Sequence, residues 1–185
     1  MTKKAIGFSV VFISLIMAVP LSAQGPGTGK NGQSPDTLVA DEIGHVTYIR
    51  EEEKLARDVY LTLYRLYQAP IFGNISESEQ RHMDAVKRLI DKYGMEDPVD
   101  DDAVGEFTNP EFAELYLNLV EKGEKSYCGA LQVGIGIEVL DIEDIENALN
   151  DVVARDVNRV FTNLLNGSYN HLNAFTSQYQ ANSCE

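Results

Sequence analysis

Glu79 and His82 stand three residues apart in the stretch Ile75-Ser76-Glu77-Ser78-Glu79-Gln80-Arg81-His82-Met83. On a helix that spacing puts both side chains on one face, where they can grip a single ion. Ile75, Met83, Val86, Leu89 and Ile90 recur around the pair at helical spacing, so the face is apolar. A carboxylate and an imidazole in such a seam are costly unless they are paired or bind a metal. Glu-x-x-His projecting inward from a bundle helix is a building unit of dinuclear carboxylate sites. One such motif arises often by chance. The reading therefore turns on whether other helices bring ligands to the same depth.

The flanking chain supplies candidates. Thr47 to Tyr67 has helical periodicity, with Ile49, Ala56, Val59, Tyr60, Leu63, Leu66 and Tyr67 as its apolar stripe. Within Glu51-Glu52-Glu53, Glu53 lies on the arc with Ile49, Ala56 and Tyr60 and is the inward acid. Glu51 reads as an acid of the first turn, favoured there by the helix dipole. Gln68-Ala69-Pro70 is a turn with Pro70 at the first position of the next helix, which Gly94 ends. A turn near residue 69 brings Glu53 and Glu79 to similar heights in an antiparallel pair. Met95 to Lys125 is a long connection carrying the acidic loop Asp100-Asp101-Asp102 and a short helix that starts at Asn109-Pro110.

Ser126 caps a third long helix, reaching about Leu149. Leu131, Ile135, Glu138, Ile142 and Ile145 share one side of it, and Glu138 interrupts an otherwise apolar stretch. Asp141, one turn on, can share its site, whereas Glu143, Asp144 and Glu146 fall on the outer face. Asn150-Asp151 opens a fourth helix, Val152 to about Tyr179, with the stripe Val153, Val157, Val160, Phe161, Leu164, Ser168, His171, Leu172 and Phe175. His171 thus faces the core, with Ser168 where a second Glu-x-x-His would place its glutamate. A lone core histidine is more often simply hydrogen-bonded; the other inward acids favour a ligand here.

The bulk composition sets bounds. A chain of 185 residues with a formal charge of −14 suits one domain, and argues against nucleic acid or an anionic membrane surface as partner. Two cysteines are too few for a cysteine-based zinc or iron–sulfur site. Residues 1–23 read as a secretory signal: Lys3 and Lys4, an apolar run from Ala5 to Val19, and small residues before a cut after Ala23. That run is short for a membrane span, and none is expected after cleavage. Residues 24–37 read as a Gly-rich linker and 38–185 as the bundle domain. Export permits a disulfide, and if His171 meets Glu138, the same antiparallel register sets Cys128 and Cys184 at nearly equal height. A Cys128–Cys184 bridge is therefore expected.

Four blocks together carry a resemblance: Glu-Glu-Glu-Lys-Leu-Ala-Arg-Asp-Val-Tyr (51–60), Ser-Glu-Gln-Arg-His-Met-Asp-Ala-Val (78–86), Ile-Glu-Val-Leu-Asp-Ile-Glu-Asp-Ile (137–145) and Asn-His-Leu-Asn-Ala-Phe (170–175). In this order they resemble a ferritin-like family known as domain of unknown function 2202, and more distantly ferritins, bacterioferritins and rubrerythrins. The resemblance implies an all-α, ferritin-like four-helix bundle with a long crossover carrying a short extra helix. Carried over by position, it implies metal ligands at Glu53, Glu79, His82, Glu138 and His171, with Tyr60 beside the metals as a supporting partner or electron donor. Ser168 departs from the pattern, and Asp141 is the ligand that can replace the missing glutamate.

Imidazole and carboxylate donors without thiolate suit iron, manganese or zinc, and affinity order alone does not choose between them; iron is the first expectation. The leading expectation is an exported protein, periplasmic or extracellular, with two metal ions per chain and oxidase or peroxidase-like activity on O₂ or peroxide. A non-catalytic metal-binding or iron-sequestering protein is the alternative, and a metal-free structural module a further one. A homodimer is the assembly left open.

Overall fold

In a computed structural model, which describes residues 37–184, α1 begins at Ala40, well before the expected Thr47, and runs to Tyr67. The readings of residues 1–36 as signal and linker lie outside the described residues. The extra turns form because Leu38 and Val46 extend the buried stripe backwards from Ile49. Glu42 then fastens the start of the helix, accepting the Val39 amide at 3.1 Å. Leu66, expected in the stripe, is half exposed, while Leu63 is fully buried. Gln68 closes the helix in the left-handed region.

The second helix, α2 (Pro70–Tyr93), starts on its proline and ends at Gly94, whose φ of 62° favours a residue without Cβ. The crossover follows and carries α3 (Pro110–Glu124), with the Asn109 side chain accepting the Glu111 amide at 2.9 Å. Ser126 likewise caps α4 (Tyr127–Asp151) through Gly129. The last helix, α5 (Arg155–Ala181), starts later than the expected Val152. Val153, placed in its apolar stripe by periodicity, is exposed. The reason is Glu42: its Oε1 accepts the amides of Val153 and Ala154 at 2.8 and 2.7 Å, holding those residues extended. A carboxylate from α1 thus satisfies a turn far along the chain.

The described residues form an all-helical bundle with no strand. Helix α1 packs on α2 and α4 on α5; α1 also meets α4, and α2 meets α5, while α3 lies against α1 and α4. The long connection thus joins two antiparallel helix pairs. The interior holds two apolar clusters. One gathers Leu55, Val59, Tyr60, Phe72, Leu131 and Phe175; the other gathers Val46, Ile49, Val86, Ile145, Phe161 and Leu164. On each long helix the inward polar residues fall between these two stretches.

The end of the chain is tied to the start of α4 by the Cys128–Cys184 disulfide, with Cα atoms 5.5 Å apart. It closes a loop of 56 residues. Replacing both cysteines by serine should lower unfolding stability by roughly 2–4 kcal/mol, read from denaturant unfolding. An unchanged midpoint would mean that packing alone holds the tail.

Candidate metal centre

All three glutamates of the 51–53 triplet are buried, because α1 is enclosed on several sides at that level. Glu51, read from the sequence as an acid of the first turn, lies well inside α1, which starts at Ala40; it accepts the Asn109 amide at 3.0 Å and so pins the start of α3. Lys54 and Asp58 are fully buried beside it and pair at 2.6 Å. Lys54 also donates to the Ala103 carbonyl and sits 4.5 Å over the Phe107 ring, while Asp58 accepts the Gly105 amide. Arg57 reaches Asp58, Gln80 and Asp102. This face of α1 thus anchors the crossover by charge, which leaves the opposite face to the bundle axis. A cleft on the crossover side, lined by Glu51, Lys54, Asp100, Asp101 and Glu106 among others, holds none of the candidate ligands.

On the axial face two groups of potential ligands form, and they overlap. Glu53, Glu79 and His82 make one, and Glu79, Glu138 and His171 the other, each with its donor atoms within 4.8 Å of one another. His82 Nδ1 lies 2.7 Å from Glu79 Oε2 and 3.1 Å from Glu53 Oε2. His171 Nδ1 lies 2.8 Å from Glu79 Oε1 and 3.5 Å from Glu138 Oε2. Glu79 therefore turns one oxygen to each group, as a bridging carboxylate does. The two imidazoles stack with centroids 5.5 Å apart.

The donor set fits a metal pair. Glu53 Oε1, Glu79 Oε1 and His171 Nδ1 are buried without a hydrogen-bond partner. His171 Nδ1 and Glu79 Oε1 are close, yet their geometry is not that of a hydrogen bond; the atoms converge on shared space. Orphaned buried polar atoms are expensive, and a cation shared by these donors would satisfy them together.

Electrostatics at the centre follow from the same crowding. Burial lowers the His82 and His171 imidazoles, but the carboxylates against them win and raise their pKa values to about 11 and about 10. Burial raises Glu79, but the two histidines outweigh it and hold it at about 2. Burial also lifts Glu53 and Glu138, each to about 7, with their histidine neighbours only partly opposing. Tyr60, fully buried, donates to Glu138 Oε1 at 2.6 Å, and burial followed by the charge of Glu138 pushes its phenol well above the usual range. It is a fixed donor that orients Glu138.

Asp141 is buried next to the centre but belongs to neither group. Its Oδ2 accepts the Ser168 hydroxyl, and its Oδ1 has no partner. Burial, then Glu53 and Glu138, keep its carboxyl well above the usual range. Ser168 does face the site, at the level of Asp141. Periodicity missed Glu52, whose Oε2 is also buried and unpartnered; three consecutive acids gave no signal to separate it from Glu51. Asp144, expected outside, is half-buried and accepts the Tyr48 hydroxyl at 3.4 Å.

A glycine makes room for the first group. A Cβ at Gly167 would sit 2.6 Å from both Cε1 and Nε2 of His82. With its Nδ1 held between two carboxylates, the ring cannot swing away freely. Gly167→Ala is expected to weaken metal binding at the Glu53–Glu79–His82 position and spare the other. Titration calorimetry reads this directly; two wild-type affinities would show that the ring has slack.

Fold and site together define a helical bundle with a buried cluster of carboxylates and histidines in two overlapping groups. The chain belongs to the DUF2202 family, an uncharacterized protein domain, whose model matches residues 42–185. It is similar to the uncharacterized protein MJ0754 of Methanocaldococcus jannaschii, 58% identical over 127 residues, 69% of each chain. The crystal structure of that hypothetical protein superposes with a TM-score of 0.79 at 48% identity, covering 84% of this chain and 87% of the other. A DUF305 fragment from Deinococcus radiodurans shares the fold at a TM-score of 0.58 and 15% identity, over 78% of this chain and 99% of the fragment.

Proposed function

We propose that this protein is an exported dinuclear metal protein, iron first among its candidate metals, with oxidase or peroxidase-like redox activity. The observation that carries the reading is Glu79, which offers one oxygen to each of two buried imidazole–carboxylate groups. Two iron ions bound there would supply the electrons to reduce O₂ or peroxide. Glu53 and His82 would complete one position, and Glu138 and His171 the other. Tyr60 would hold Glu138 in its ligating orientation and keep a protonated hydroxyl at the edge of the site. The apolar clusters on either side limit access by water and bulky substrates, which favours a small oxidant.

The serine at 168 favours a second reading, non-catalytic metal binding or sequestration, because the set of carboxylates around the second position is one short of the full dinuclear pattern. Elemental analysis of protein from its native compartment, followed by anaerobic Fe²⁺ loading and exposure to O₂ or peroxide, separates the two. Two irons per chain oxidised faster than free Fe²⁺ support the redox reading. Stoichiometric binding without turnover supports sequestration, and absence of metal removes both.

A further inference from the structure

Beside the two ligand groups lie acids that neither of them uses. Helices α1 and α4 are antiparallel, and their contacts keep one register: His45 meets Asp151, Tyr48 meets Asp144, and Tyr60 reaches Gly134 and Glu138. The same register sets Glu52 opposite Asp141, one turn inward from the Tyr48–Asp144 contact. Burial, then Asp141, then Asp144 raise the Glu52 carboxyl, as expected for acids that face one another. The side chains form a file that leads inward. Tyr48 is exposed and Asp144 half-buried, Glu52 and Asp141 are 6% and 5% exposed, and beyond them lie Glu53 and Glu138.

Two features set this file apart from a solvated acidic face. Glu52 Oε2 and Asp141 Oδ1 are buried and have no hydrogen-bond partner. Ser168, fully buried, donates to Asp141 Oδ2 and so holds that carboxylate against α5, with its other oxygen unpaired. A glutamate at 168 would add a further acid at this point; a hydroxyl leaves room for a cation beside Asp141. All the donors are oxygens, which suits a hard, loosely held divalent cation.

We propose that Glu52, Asp141 and Asp144 form an all-oxygen divalent-cation site that loads the dinuclear centre from the α1–α4 side. The inference rests on the metal reading of Glu53, Glu79, His82, Glu138 and His171. A cation captured at Asp144 desolvates stepwise between Glu52 and Asp141, then passes to the imidazole-containing positions, which bind first-row metals more firmly. Asp141, expected from sequence as a replacement ligand, becomes a transfer ligand.

The test uses the whole chain, made metal-free, with Co²⁺ as probe and its visible absorption followed by stopped flow. Glu52→Gln and Asp144→Asn are each compared with wild type and with Glu143→Gln, which removes an equal charge from an exposed position on α4. The expected result is an unchanged final stoichiometry of two Co²⁺, with loading slowed about tenfold or more in both variants and not in Glu143→Gln. Helicity and melting temperature confirm folding, and Asp144→Asn, at the half-buried mouth, serves if Glu52→Gln does not fold. Wild-type loading rates in the folded variants would overturn the route and mark Glu52 and Asp141 as a protonated structural pair. Equal slowing in Glu143→Gln would also overturn it, since general charge then suffices. A lower stoichiometry in Glu52→Gln would place Glu52 in the centre itself and overturn its loading role. A wild-type chain that takes up no Co²⁺ would overturn the dinuclear reading and this inference together, whereas the other failures leave the dinuclear reading standing.

Discussion

Glu79→Ala is expected to abolish metal binding at both positions, where Glu53→Ala or His82→Ala should each remove one. The difference follows from geometry: Glu79 Oε2 faces His82 and its Oε1 faces His171, so no other candidate ligand takes part in both groups. On pattern alone Glu138 could also have been the bridge; the structure keeps it with His171 and Tyr60. The variant should also lose stability without metal. Glu79 is the anion between two imidazoles, and removing one partner of a buried ionic cluster typically costs about 3–5 kcal/mol. Glu79→Gln keeps the shape and loses the charge, so it should retain more of the fold while still failing to bind. Metal analysis beside denaturant unfolding separates the two effects. Full metal content in folded Glu79→Ala would sink the dinuclear assignment.

A steep rise of metal affinity with pH is the second large effect. In the metal-free centre His82 and His171 hold protons up to about 11 and about 10. A cation must displace both, so apparent affinity should rise by about a hundredfold per pH unit between pH 7 and 9, two protons leaving per loaded centre. Below about 7, Glu53 and Glu138 also become protonated, and the slope should steepen. Calorimetry in buffers of different ionisation enthalpy counts the released protons. A pH-independent affinity would show that the histidines do not ligate.

The stability of the metal-free protein should run the other way over part of this range. The raised histidines contribute stability that is complete below 6.5 and is lost as pH climbs through 10 to 11. Glu53 and Glu138, also raised, contribute fully below 4.5 and lose that contribution as pH passes about 7. Glu79 is lowered, so its contribution is present above 4.5 and disappears as pH falls through about 2. These groups together favour the metal-free fold in mildly acid solution and the loaded fold at higher pH. Melting curves with chelator and with excess metal should therefore diverge as pH rises.

Much of this molecule was determined by its sequence alone. The 3.6-residue period of apolar residues marks the helices themselves, and Pro70 and Asn109-Pro110 at helix starts and Gly94 after Tyr93 act over a few residues and lie where those local rules put them. Glu53, Glu79, His82, Glu138 and His171 were legible for the same reason: an ionisable group that interrupts an apolar stripe is conspicuous. The Cys128–Cys184 bridge followed from register, since antiparallel helices of known turn position fix which residues share a height.

Tertiary structure decided what depends on a partner distant in the chain. The early start of α1 and the late start of α5 both rest on Glu42, whose carboxylate spans two elements more than a hundred residues apart in sequence. Glu51 and Glu52 are buried only because the crossover and α4 close over α1, an enclosure that no local period encodes. Which glutamate bridges the two ligand groups depends on how four helices meet at one level. A one-dimensional pattern specifies the face a side chain occupies; the approach of the other helices determines which of its atoms find partners.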